Sequence, residues 1–276
     1  MPRFKAPVFL LLVCLGPLPG YAQKAPPSIQ DNSFLIEEAY NQEKSVVQHI
    51  SSFTYLADSH DWTYTFTQEW PLGGQRHQFS YSLSAVRSGD FASQGAGIGD
   101  VFVNYRLQVL GSGTTRVAFA PRLSAILPSG NSDLGRGYGA AGVQTNLPFS
   151  VVLFPKLVSH WNAGTTYVPH ARNSARDQAA TWSYNAGQSF IWLANPRFNV
   201  MFETFYVDAQ SVTAPGKTAW SKTLLLNPGI RWAYNFSNGL QIVPGVAMPI
   251  GVGPSAGEKG VFIYLSFEHP FQKITD

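Results

Sequence analysis

The sequence predicts an all-β chain closed into a transmembrane antiparallel barrel of about 12 strands, and three observations carry that prediction. Segments of roughly ten residues alternate apolar and polar side chains, and long connections alternate with short ones. After the N-terminus, no stretch reaches the ~18 continuous apolar residues of a membrane helix. A closed barrel crosses a bilayer with strands because it pairs every backbone group internally.

At the N-terminus, Arg3 and Lys5 precede the apolar run Val8 to Leu15, and Gly20-Tyr21-Ala22 offers small residues at a cleavage point. This is the plan of a secretory signal peptide over 1–22. A lipoprotein signal at Cys14 is the rival, but Val13 stands where that signal wants a small residue. The expected mature chain, 276 less 22 residues, has no cysteine and so uses no disulfide in an oxidising compartment. Of 19 basic residues, loss of Arg3 and Lys5 leaves 17 against 16 acidic, with no concentrated run of one sign. Nothing there favours a nucleic-acid partner. An aromatic content of 14% beside only 13% charged residues argues against an exported disordered chain.

Residues 23–45 form the expected periplasmic N-terminal segment. Within it Leu35, Ile36, Ala39 and Tyr40 recur at helical spacing, predicting a short helix over Ser33 to Glu43 that covers the barrel rim or plugs its mouth. The barrel is expected over 46–271, followed by a tail at 272–276.

The first strand, Val46 to Ala57, alternates poorly, with His49 and Ser51 in line with Phe53 and Tyr55. The second (Trp62 to Trp70) sets Trp62, Tyr64, Phe66 and Trp70 against threonines and Glu69, and the third (His77 to Val86) sets Phe79, Tyr81 and Leu83 against serines. Small polar residues suit a wet lumen better than a packed core. The fourth, Asp100 to Leu110, sets Val101, Val103, Tyr105, Leu107 and Val109 against Asp100, Phe102, Asn104, Arg106 and Gln108. The fifth sets Val117, Phe119, Leu123, Ala125 and Leu127 against Arg116, Arg122 and Ser124.

Gly139 to Leu147 makes a sixth and Leu157 to Val168 a seventh, which Phe149 to Phe154 extends backward. Thr181 to Leu193, Arg197 to Asp208, Thr223 to Tyr234, Leu240 to Ile250 and Val261 to Phe271 complete the set. Long polar connections are expected at 87–98, 128–138, 169–179, 209–222 and 251–260, on the side opposite both termini. Trp62, Trp70, Tyr167, Trp182, Trp192 and Trp232 fall near strand ends on the apolar face, as interfacial girdles require. Pro121, Pro228 and Pro244 sit inside paired strands, so bulges or twisting are expected there.

The charges expected on the lumen face are Glu69, Asp100, Arg106, Arg116, Arg122, Arg197, Glu203, Arg231 and Glu268. Asn104, Arg106, Gln108, Arg122, Glu203 and Arg231 are the candidate pore-lining residues. They fit two readings: an anion-attracting constriction for a small organic solute, or a network in which the arginines pair with Glu203, Glu69 and Glu268 and prop the wall. Catalysis finds no comparable pattern, because the Ser or Asn near His49 and His160 forms no local motif. Gly95 to Gly99 lacks the helix a nucleotide loop needs, and no cofactor or metal is expected.

Several motifs occur in order: Gly97-Ile-Gly-Asp-Val101 leading into Asn104-Tyr-Arg-Leu107, Leu127-Pro-Ser-Gly130, Gly137-Tyr-Gly139 and Gln144 to Pro148. With the lead Ser33 to Gln42, they resemble the bacterial outer-membrane family named for the meta-pathway of phenol degradation. The resemblance spans nearly all of the mature chain. It implies a Gram-negative outer-membrane barrel assigned to transport of aromatic compounds, and it carries over no catalytic or ligand residues. The expected partners are outer-membrane lipid, a small-molecule solute and the barrel assembly machinery, though residues 272–276 after Phe271 depart from the usual terminal aromatic. The expected function is a porin-like channel. The alternatives are a barrel enzyme acting on lipid and a non-conducting structural barrel.

Overall fold

The computed structural model describes residues 32–271, so the expected signal peptide, residues 23–31 and the 272–276 tail lie outside the described residues. The described chain is a closed antiparallel barrel of 12 strands. They are β1 (Val46–Leu56), β2 (Trp62–Pro71), β3 (His77–Arg87) and β4 (Gly97–Ile98 with Val101–Leu107). Next come β5 (Val117–Phe119 with Arg122–Leu127), β6 (Gly142–Asn146 with Phe149–Phe154), β7 (Leu157–Arg172) and β8 (Gln178–Asn195). The set ends with β9 (Phe198–Ala214), β10 (Lys217–Trp232 with Tyr234–Asn235), β11 (Gln241–Ala247 with Ile250–Gly251) and β12 (Gly260–Pro270). Each strand pairs with its sequence neighbours, and β1 closes on β12 in unbroken register from Val46↔Pro270 to Leu56↔Gly260. That closure leaves no free edge.

Burial is inverted relative to a water-soluble sandwich. Leu123, Val143, Trp161, Trp192 and Ile263 are exposed on the outside, whereas Gln78, Asn104, Arg106, His160, Glu203 and Asn227 are buried inside. Only a solvent that is apolar outside and a polar interior make both favourable, so the oily face is the lipid face. The girdles agree. Tyr167 and Trp182 pack at 4.5 Å at the loop end, and Trp70 packs on Phe79 and Tyr81 at the turn end. Trp182 and Trp192 stand ten residues apart on β8. At roughly 3.3 Å per residue and a tilt of about 40°, that is about 25 Å of bilayer, the height of the apolar band of such barrels.

The structure corrects four expectations. Phe149–Phe154 belongs to β6, not to the seventh strand: it continues across Leu147-Pro148 and folds back on β7, pairing Val152↔Val158. The polar stretches 169–179 and 209–222 are largely strand rather than loop. β7 with β8, and β9 with β10, rise as tall hairpins, the second turning at Pro215-Gly216 with Gly216 at φ 68°. At the β9–β10 end both faces meet water, so the paired strands there lose their apolar face and read as loop.

Prolines behave in two ways. At Pro121 the register between β4 and β5 shifts, from Arg106↔Arg122 to Leu110↔Phe119, which is the expected bulge. Opposite Pro228 and Pro244 the β10–β11 register stays constant, from Leu226↔Ile250 through Arg231↔Gly245 to Tyr234↔Ile242, and only the ladder bonds lapse. Finally, the helix expected over Ser33 to Glu43 is absent, and residues 32–43 run through the lumen as a series of bends.

Candidate functional site

The site is the contact between this N-terminal segment and the inner wall. Residues 33–42 give up helical hydrogen bonds because the wall takes them. The Glu203 carboxylate on β9 accepts the backbone N–H groups of Phe34 (2.8 Å), Leu35 (3.0 Å) and Ile36 (3.3 Å). Asn162 on β7 both accepts from Glu37 N–H (2.8 Å) and donates to Glu37 C=O (2.7 Å). Ser150 Oγ accepts Ala39 N–H, Gln108 Oε1 accepts Asn41 N–H, and Gln78 Oε1 accepts Gln42 N–H, all within 2.9 Å. Buried backbone polar groups must be paired, and polar side chains from β3, β6, β7 and β9, with Gln108 just past β4, pair these. The apolar side chains of the segment find matching space. Phe34 packs on Phe262 and Tyr264 beside Gly229 and Gly245, where any Cβ would approach its ring to within 2.7 Å.

Charge is matched across the same contact. Arg106, 2% exposed, donates to Asn41 Oδ1 (2.8 Å), Glu37 Oε1 (3.1 Å), Glu38 C=O (3.2 Å), Tyr40 C=O and Gln78 Oε1 (3.3 Å). Arg122 Nε donates to Glu37 Oε2 (2.9 Å), and its Nη atoms are held by Asn104 Oδ1 (3.0 Å) and Gln144 Oε1 (3.1 Å). Asn146 Nδ2 completes the set on Glu37 Oε2 at 2.7 Å.

All six candidate pore-lining residues therefore sit on the inner side. Arg106, Gln108, Arg122 and Glu203 touch the segment directly, Asn104 orients Arg122, and Arg231 lies apart near the turn end, opposite Asn199 in the ladder. The ion partners differ from those expected: Arg106 pairs with Glu37 and Glu38 of the segment and Arg122 with Glu37, rather than with Glu69, Glu203 or Glu268. Sequence reasoning missed Glu37, Asn146, Asn162 and Ser150. The signal available was an acidic pair, Glu37-Glu38, set in an apolar lead just ahead of a barrel whose lumen face carries arginines.

Two lobes of the lumen stay open around the segment. One, of about 370 Å³, is lined by Phe34, Phe102 and Tyr264 together with Ser and Thr side chains of β1 to β3. The other, of about 270 Å³, is lined by Tyr138, Phe205, Asn162 and Thr166. Glu37, Arg122 and Gln144 border both.

At the loop end a single carboxylate gathers the motif residues. Asp100 accepts from Gly130 N–H (3.0 Å) and Tyr138 N–H (2.7 Å), while Ser129 Oγ donates to Gly99 C=O (2.9 Å). A Cβ at Gly137 would lie 2.4 Å from Asp100 Oδ1, so that position needs glycine. Burial, and then the Asp100 carboxylate, push the Tyr138 phenol up from its ordinary value.

The Ser150–His160 pair is not an open site. Ser150 Oγ and His160 Nδ1 are 2.6 Å apart, but both are fully buried, with the Tyr40 ring edge-on against His160. His49 and His269 meet across the β1–β12 seam, with Nε2 atoms 3.3 Å apart.

No family model and no curated protein sequence matches the chain. Among solved structures, the NanC porin is similar at 11% identity with a TM-score of 0.52, over 79% of this chain and 98% of that one. The transport unit of the autotransporter AIDA-I from Escherichia coli matches at 10% identity and a TM-score of 0.40, over 87% and 95%. The CymD monoaromatic hydrocarbon channel matches at 9% identity and a TM-score of 0.40, over 85% and 90%. The first of these likenesses shows a shared barrel fold.

Proposed function

We propose that the chain is a Gram-negative outer-membrane channel for passive uptake of small organic solutes, aromatic ones among them, and a member of the family its motifs resemble. The observation that carries this is a lumen with a polar wall and two open, partly aromatic lobes, separated by a segment that is bonded to the wall through side chains rather than built into the ladder. A segment held that way can leave without unpairing a strand. Lipid on the outer face and the barrel assembly machinery are its remaining partners.

The test is solute flux in proteoliposomes, comparing benzoate-like acids, neutral aromatics and sugars, after heat-dependent gel mobility has established a folded barrel in detergent. Faster entry of aromatic solutes than of sugars is expected. Protein that stays soluble without detergent overturns the architecture. A folded barrel that passes no solute favours the second reading, a non-conducting structural barrel, which draws its support from the burial of Arg106 and Glu203 under the segment.

A further inference from the structure

We infer that the donors around Glu37 form a binding site for the carboxylate of a small organic acid, and that Glu37 is an internal ligand occupying it. Both carboxylate oxygens of Glu37 are taken: Oε1 by Arg106 Nη1, Oε2 by Arg122 Nε and Asn146 Nδ2, at 2.7 to 3.1 Å. Two arginines and an amide converging on one carboxylate is the geometry of carboxylate recognition, where charge-assisted bonds are strong and the planar guanidinium sets direction.

The donors belong to the wall, not to the segment. Arg106 lies on β4, Arg122 on β5 and Asn146 on β6, three adjacent paired strands. Arg122 is fixed independently of the segment by Asn104 and Gln144, and Gln144 in turn donates to Thr166 Oγ1 at 3.0 Å. Asn146 also reaches Asn162 at 3.1 Å. Arg122 and Asn146, on rigid strands with their own supporting bonds, keep their aim when a ligand changes, and Arg106 keeps Gln78 Oε1.

The position also specifies the rest of the ligand. The Glu37–Arg122 contact borders both lumen lobes, so a solute carboxylate there would direct its body toward Phe102 and Tyr264 on one side or Tyr138 and Phe205 on the other. A lobe of about 370 Å³ falls in the range of small-ligand pockets, roughly 300 to 1,000 Å³. The class is therefore a small monocarboxylate with an aromatic body. Its binding and the docking of Glu37 exclude each other, so the solute would loosen the segment that blocks its path. This inference rests on the channel reading for its physiological sense, but binding is measurable without flux.

The experiment is equilibrium dialysis of radiolabelled benzoate, with benzyl alcohol as the neutral control, against the full-length detergent-solubilised protein. Glu37→Gln keeps the shape but removes the charge and turns an amide N–H₂ toward donors on one side, so the internal ligand's hold on the site weakens. Benzoate affinity should rise at least tenfold over the wild type and fall back at least tenfold in Glu37→Gln/Arg122→Gln, with benzyl alcohol unchanged within twofold. Equal benzoate affinity in all three proteins, or an equal gain for benzyl alcohol, overturns the site. Should Glu37→Gln lose heat-dependent mobility, the wild type decides. Millimolar benzoate, and not benzyl alcohol, should speed chymotrypsin cleavage at Phe34 and Tyr40 at least fivefold, and no change overturns the site. Benzoate binding in Glu37→Gln without flux in proteoliposomes would sink the channel reading while supporting the site.

Discussion

Arg106→Ala isolates what holds the segment in the lumen. The guanidinium serves five acceptors, four of them on residues 37–41: Glu37 Oε1, Glu38 C=O, Tyr40 C=O and Asn41 Oδ1. Truncation leaves a part-buried Glu37 carboxylate with Arg122 and Asn146 as its remaining donors, and leaves two carbonyls without this donor. Removing one partner of a buried ion pair costs about 3–5 kcal/mol. Taking about 4 kcal/mol, at about 1.4 kcal/mol per tenfold, the docked-to-released ratio should fall by about 10³.

Hydrogen exchange read by mass spectrometry on the protein in lipid nanodiscs measures this directly. Peptides covering 37–42 should exchange about a thousandfold faster than in the wild type, while peptides from β9 and β10 keep their protection because no ladder bond has changed. Arg106→Lys, which keeps the charge and loses the fork, should fall between the two. Protection of 37–42 within tenfold of wild type would refute the claim that this guanidinium clamps the segment.

Three further outcomes follow from the same structure. Asp100→Ala removes the acceptor for Gly130 and Tyr138 N–H, bonds to a charged group worth about 1.5–3 kcal/mol each, so trypsin should cut at Arg136 at least tenfold faster with heat-dependent mobility intact. Unchanged cleavage would mean the loop is held elsewhere. Ala186→Arg, on the lipid face midway between Trp182 and Trp192, should lower the stability of the refolded barrel by about 2–4 kcal/mol in urea titrations in liposomes, against no comparable loss for a lumen-face substitution such as Ser183→Arg. At Glu258, burial raises the carboxyl, but N–H donation from Asp58, Ser59 and Lys259 outweighs it and holds the value below the ordinary range. The latch is therefore fully present above the free-carboxylate value of about 4.3 and lost as pH falls through the lower folded value. Exchange at Asp58 and Ser59 amides, corrected for intrinsic rates, should rise only in that acidic window, and a rise near neutrality would contradict it.

What the sequence disclosed and what it hid divide along one physical line. Strand identity was legible wherever lipid on one side and water on the other impose opposite solvents at a period of two. Asn104, Arg106, Gln108, Arg122, Glu203 and Arg231 could accordingly be assigned to the inner face by parity alone. The same rule fails beyond the bilayer, where Gln210 to Ser221 stay paired but both faces meet water. It fails again at Leu147-Pro148, where a proline hides the continuity of β6.

The lumen segment was illegible for a different reason. Leu35, Ile36, Ala39 and Tyr40 carry helical spacing, and nothing local opposes it. The opposition comes from partners 111 residues away at Ser150, 125 at Asn162 and 169 at Glu203, which take the N–H groups a helix would use. An isolated stretch of about a dozen residues is marginal as a helix in water, so a wall offering a preformed acceptor at nearly every N–H outcompetes it. The bends of residues 33–42 are thus a property of the barrel's inner face as much as of their own sequence, and substitutions at Glu203 or Asn162 should reshape the segment more than substitutions within it at Leu35 or Ala39.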